Sequence, residues 1–155
     1  MTFQVHALDE TQFQKFFTMS EQELAAHNAC LEVVKEYPGT PCRVSLDDAR
    51  VGETVLLVNY AHQRGASPYS SSHAIFVRKG VKTEPPAPAT IPRVLSSRLM
   101  SVRGFDRNHM MVQADVVEGD ALRKAIEAFF ADPDVDYIHL HNAKPGCFAA
   151  MVTRT

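Results

Sequence analysis

The stretch Thr54-Val55-Leu56-Leu57-Val58-Asn59-Tyr60 constrains this chain more than any other. It is a near-continuous apolar run rich in β-branched residues. A strand with one wet face would alternate with polar residues, so this run predicts a central strand covered on both faces. Such a strand needs neighbouring strands and covering layers, and the rest of the chain offers both. Phe3, Val5 and Ala7 alternate with Gln4 and His6, as in a half-buried strand. Short strands are also predicted at Leu31 to Lys35, Cys42 to Val44, Ala74 to Arg78, Leu99 to Phe105, Met111 to Val117, Tyr137 to His141 and Cys147 to Thr153.

Helices are fewer. Asp9 with Gln12 starts a short one carrying Phe13, Phe16 and Phe17. Ser20 with Glu23 forms a capping box, and Met19 can pack on Leu24 as a staple, so a helix runs to about Asn28. Ser45 with Asp48 can cap a single helical turn, and Thr90 a short helix with Pro92 in its first turn. The clearest helix runs from Asp120 to Ala131, with Leu122, Ile126, Phe129 and Phe130 at helical spacing and Asp132-Pro133 as its stop. Irregular alternation with hairpin-like pairs predicts an α+β fold with a mixed or mainly antiparallel sheet and a few helices. Leu99 to His141 reads as ββαβ, which would suit a ferredoxin-like unit.

The 155 residues form a single domain, 1–155. The segment from Lys82 to Pro92 holds Pro85, Pro86, Pro88 and Pro92 and is an extended connector. It is no domain boundary, because too little chain flanks it for two cores. A chain this long buries enough surface to fold without a disulfide or metal. The formal charge of −2 argues against nucleic-acid binding. No apolar stretch is long enough to span a bilayer, and no basic amphipathic run suits a membrane surface. The N-terminus lacks the pattern of a signal peptide. Cys30, Cys42 and Cys147 are odd in number and widely spaced, which fits a reducing cytoplasm better than a secreted disulfide framework.

Four groups of residues could carry chemistry. In Tyr137-Ile138-His139-Leu140-His141-Asn142, residues two apart share a face, so His139 and His141 sit about 6–7 Å apart while Ile138 and Leu140 enter the core. Two imidazoles so placed can hold a divalent metal, with His62, His73, Cys147 or Asp136 as a further ligand. The same pair also suits acid/base work, or plain hydrogen bonding on an amphipathic strand. Cys42 and Cys147 each follow a Pro-containing turn and are candidate nucleophiles, or small buried residues at strand starts. Arg43, Arg78 and Arg103 lie in or at the ends of strands, where a guanidinium needs a partner. Together they would form an anion pocket; separately they would be salt bridges. Asn59 and Tyr60 end the central strand, and His62 and Gln63 follow in a polar loop, Ala61 to Ser72, that also holds Tyr69; loops of this length carry binding groups. Asn142 closes the His-bearing strand. The familiar signatures of phosphate loops, serine hydrolases and zinc proteases are absent.

The strings Pro41-Cys42-Arg43-Val44-Ser45-Leu46-Asp47-Asp48-Ala49, Gly52 to Tyr60 with His62-Gln63, Ser67-Pro68-Tyr69, Ile75 to Arg78, Tyr137 to Ala143 and Pro145-Gly146-Cys147 together resemble a bacterial family catalogued as domain of unknown function 1203. The likeness covers nearly the whole chain. It implies a small stand-alone protein and no particular activity, so no functional residue carries over from it. The residues themselves favour a domain that binds a small anionic metabolite, with Arg43, Arg78 and Arg103 holding the anion. His62, His139 and His141 would transfer protons or ligate a metal. The alternative is a non-catalytic interaction module or homodimer using an exposed sheet edge.

Overall fold

In the computed structural model, which describes residues 2–155, the apolar run becomes the middle of β3 (Thr54–Gln63). It pairs antiparallel with β2 (Ala29–Val33) on one side and β4 (Ser71–Arg78) on the other. Both faces of the run are covered. Leu56 and Val58 pack with Phe13, Phe16, Leu24, Ile75 and Val77, while Val55 packs with Val34 and Ala49 on the opposite face.

The larger sheet contains β1 (Phe3–His6), β5 (Leu99–Phe105), β6 (Met111–Glu118), β7 (Tyr137–Asn142) and β8 (Phe148–Arg154), in the order β1-β8-β7-β5-β6. Every pairing between strands is antiparallel. The architecture is α+β. The ββαβ segment forms a split crossover: β6 and β7 both run antiparallel to β5, which lies between them, and α3 (Leu122–Ala131) connects them. Leu122, Ile126, Phe129 and Phe130 face Val102, Ile138, Leu140 and Val152 across the main core. Each such side chain contributes about 1.5–3 kcal/mol by leaving water.

α1 (Glu21–Ala26) has the expected capping box between Ser20 and Glu23. α2 (Arg93–Ser96) starts later than expected. Ile91 precedes a proline and stays out of the helical region, so Pro92, not Thr90, takes the cap position. Gly119 sits where α3's approach meets the end of α2. A Cβ there would lie 2.3 Å from the Ser96 carbonyl oxygen and 2.6 Å from that of Arg98. Gly119→Ala is therefore expected to cost about 2–3 kcal/mol, read by urea denaturation, since neither backbone can yield without moving a core helix.

Three expectations need correction. Residues 42–44 are not a strand. Cys42 makes one parallel bridge to Phe76, and the neighbouring backbone bonds are shared among partners: Arg43 N–H donates to Phe76, and Leu8 N–H donates to Arg43. Residues 45–48 are not a helical turn, because Leu46 adopts a left-handed φ of 51° to bury its side chain. The predicted loop 61–72 is shorter than expected. β3 continues through Gln63 and β4 begins at Ser71, leaving residues 64–70 as the connection. Among the described residues no helix is long and apolar enough to cross a membrane.

Candidate metal and anion site

The period of two along β7 places Tyr137, His139 and His141 on the face opposite Ile138 and Leu140. That face is not wet. His139 is 3% exposed and His141 1%. It is covered by β8 and by the far end of β3, and a bulge in each strand arranges this. On β8 the register shifts between the partners of Leu140 and His141, which leaves Ala149 and Ala150 in the main core and turns Phe148 toward the histidines. On β3 the shift lies between Tyr60 and Gln63 and aims His62 at the same point. Bulges at a sheet margin commonly re-aim side chains in this way.

The result is a cluster of three imidazoles from two sheets. One ring nitrogen from each of His62, His139 and His141 lies within 4.8 Å of the others. Phe148 stacks on His62 at 5.4 Å and meets His139 and His141 edge-on, so one aromatic ring orients all three. His141 Nδ1 lies 2.9 Å from the Gly146 carbonyl oxygen. A carbonyl only accepts, so Nδ1 carries the proton and Nε2 keeps its lone pair. That Nε2, like Nδ1 of His62 and of His139, is buried with no hydrogen-bond partner. An orphaned buried polar atom costs about 1–3 kcal/mol, so three in one place call for an explanation.

Burial pushes all three imidazoles down from the ordinary value of 6.5, His62 to about 4 and His139 and His141 to about 3, and the nearby Arg103 guanidinium adds to the effect. They are neutral at pH 7, the form that ligates metals. Arg103 stands directly across from His139 in the β5–β7 register, and Ser101 across from His141. The guanidinium donates to Ser101 Oγ at 3.1 Å, and no carboxylate among the described residues pairs with it. Beyond His139, Tyr137 stacks on Phe105, and its hydroxyl meets Gln63 Nε2 and His109 Nδ1, each at 2.8 Å.

The sequence model of a family described as "Protein of unknown function (DUF1203)" matches residues 39–154. The chain belongs to the DUF1203 family. No curated protein and no solved structure matches it.

The expected arginine pocket does not form in this DUF1203 chain. Arg78 pairs with Glu53 at 2.6 Å, Arg103 joins the histidines, and Arg43 is buried elsewhere. They lie on different elements: Arg78 ends β4 in the small sheet, Arg103 is on β5 in the large sheet, and Arg43 is in the irregular segment before β3. Arg43 donates to the Phe148 carbonyl at 2.7 Å, to the Pro41 carbonyl at 2.6 Å and to Cys147 Sγ at 2.9 Å. Cys42 lies in the small-sheet core, its sulfur accepting from the backbone N–H groups of Ser45 and Arg78. Asn59 is exposed, Tyr60 packs between Phe13 and Phe148, and Tyr69 meets Phe105 edge-on. Asn142 is buried beside Cys147. His73 is not part of the cluster.

His109 was not singled out from sequence, and Gln63 was read only as part of the polar loop after the central strand. No sequence signal pointed to His109; in the structure a Cβ at Gly65 would clash with its ring. Gly65→Ala is expected to displace His109 from Tyr137 and to cost about 1–3 kcal/mol. The ultraviolet titration of the tyrosines would register the lost contact, alongside a denaturation curve.

Proposed function

We propose that this DUF1203 chain is a metal-dependent domain that acts on a small anionic ligand. The metal is a divalent transition ion held by His62, His139 and His141. The ligand's anionic group is held by Arg103. The observation that carries this reading is the convergence of three neutral imidazoles, two buried and one half-buried, each with a buried ring nitrogen that has no partner. Nitrogen donors of this kind suit zinc, iron(II), copper or nickel and not magnesium or calcium. Such an ion, when bound, polarises an oxygen ligand or lowers the pKa of a water.

The chain's own groups have separable roles. The Gly146 carbonyl fixes the His141 tautomer, as outer-shell acceptors do in metal sites. Phe148 and Phe105 exclude water. With three neutral ligands and a neighbouring guanidinium, the site keeps its positive charge and selects an anion. Ligand nitrogens 4.8 Å apart need modest side-chain rotation to reach about 2.0–2.1 Å from one ion.

Equilibrium dialysis against zinc tests this. One zinc per chain is expected, and His62→Ala or His141→Ala should weaken binding by more than the 10–100-fold that loss of an outer-shell partner costs, as an order of magnitude. Full affinity in either variant would refute the assignment. Arg103→Gln should retain the metal and weaken azide binding to the cobalt(II) form by about tenfold, followed by absorbance. The interaction-module alternative would use the open edge strand β6, where Val112 and Val116 are 43% and 55% exposed. It leaves the three orphaned ring nitrogens unexplained.

A further inference from the structure

On the other side of the β7–β8 turn lies a cavity of about 710 Å³, with Arg43, Asn142, Lys144 and Cys147 in its wall. Arg43 is 2% exposed, and no carboxylate among the described residues pairs with it. Taking a guanidinium out of water without a counter-charge is costly, and burial pushes Arg43 below its ordinary pKa while Cys147 opposes that push. The one side-chain acceptor of the guanidinium among the described contacts is Cys147 Sγ, 2.9 Å from Nη2. A cation against a cysteine sulfur is the arrangement that activates thiol nucleophiles.

A second observation points to a ligand in the same place. Asn142 is 5% exposed, and its Oδ1 is buried without a partner. Its Nδ2 lies 3.5 Å from Cys147 Sγ, so the bare acceptor sits beside the thiol. Charge in the wall is mostly positive. Arg98 is offset by Asp48 at 2.6 Å, while Lys144 is exposed and Glu118 is the one acid in the lining. Cys42, the other buried cysteine, has no guanidinium hydrogen-bonded to its sulfur, which accepts from the backbone N–H groups of Ser45 and Arg78.

We propose that Cys147 is a nucleophile opening onto this cavity, which takes a small electrophile that carries a carboxylate. Arg43 faces the sulfur, Lys144 draws the carboxylate, and Asn142 Oδ1 accepts from a donor on the ligand. With iodoacetate as probe the step balances. Sγ bonds to the methylene carbon, the carbon–iodine bond breaks with its electron pair leaving on iodide, and the thiol proton passes to solvent. None of the three clustered histidines lines this cavity.

The test is alkylation of the native full-length chain in chelator, with each cysteine's rate mapped by mass spectrometry. Exposed Cys30 is the internal reference, since its sulfur lies 3.9 Å from Glu32 and its environment disfavours the thiolate. The rate ratio of iodoacetate to iodoacetamide is expected to be about tenfold higher at Cys147 than at Cys30. Lys144→Glu, at an exposed position, should reduce that ratio several-fold, and Arg43→Gln should remove it. If Arg43→Gln does not fold, Lys144→Glu decides. An unreactive Cys147 in the native chain, a ratio equal to that of Cys30, or a ratio unmoved by Lys144→Glu would overturn the proposal.

Discussion

Between pH 7 and pH 5 the metal-free protein is expected to lose about 4 kcal/mol of folding stability, about 2 kcal/mol from each of His139 and His141. Both imidazoles are held near 3 by burial, whereas in the unfolded chain they titrate near 6.5. Above 6.5 neither state binds the proton and the contribution is complete. As pH falls through 6.5 the unfolded chain takes up protons that the folded chain refuses, so stability declines until the folded value near 3 is reached. His62 is half-exposed and adds less. Glu53, pushed down chiefly by its hydrogen bond with Arg78, and Glu10, pushed down by Thr83, start from 4.5 and act below this range. The slope between pH 7 and pH 5 therefore belongs mainly to the histidines. Urea denaturation at several pH values in chelator would show it, and His139→Gln should flatten it. Added zinc should move the decline to lower pH, because metal and protons compete for the same nitrogens. A flat profile from pH 7 to pH 5 would contradict the buried, neutral assignment.

Arg43→Ala is expected to cost about 4 kcal/mol, by orphaning the acceptors it serves and opening a void between the 40–49 segment and β8. One guanidinium ties Pro41, Cys147 and Phe148 together, two of them through backbone carbonyls. Lysine has one ammonium and cannot reproduce this fork, so Arg43→Lys should recover only part of the loss. Arg78→Ala provides the contrast. Its pair with Glu53 is 18% and 32% exposed, and loss of so solvent-screened a contact should cost about 1 kcal/mol. Equal costs for the two substitutions in denaturation curves would show that Arg43 is not the tie described here.

Local periodicity carried much of the fold into view. β5 spans Leu99–Phe105 as its alternation predicts, α3 follows its apolar stripe, and the Ser20–Glu23 box forms. The shared face of His139 and His141 followed from the two-residue repeat. What could not be seen was the distance over which the site closes. His62 comes from the other sheet, brought in by a bulge that no single residue announces. Arg43 and Cys147 meet across more than half the chain. The segment around Leu46 has strand-like and helix-like composition, yet its backbone bonds go to several partners at once. The three arginines looked alike in sequence, and only their places in the fold, two on strands of different sheets and Arg43 on no strand, separate their roles.

The proposed metal centre is made of three imidazoles and no sulfur. X-ray absorption fine structure on the zinc-loaded, full-length chain tests it most directly. The expected first shell has three nitrogens of imidazole type at about 2.0–2.1 Å, with a light atom as the further ligand. Sulfur scattering at about 2.3 Å would place the metal on a cysteine instead, and zinc that fails to load stoichiometrically would remove the centre altogether.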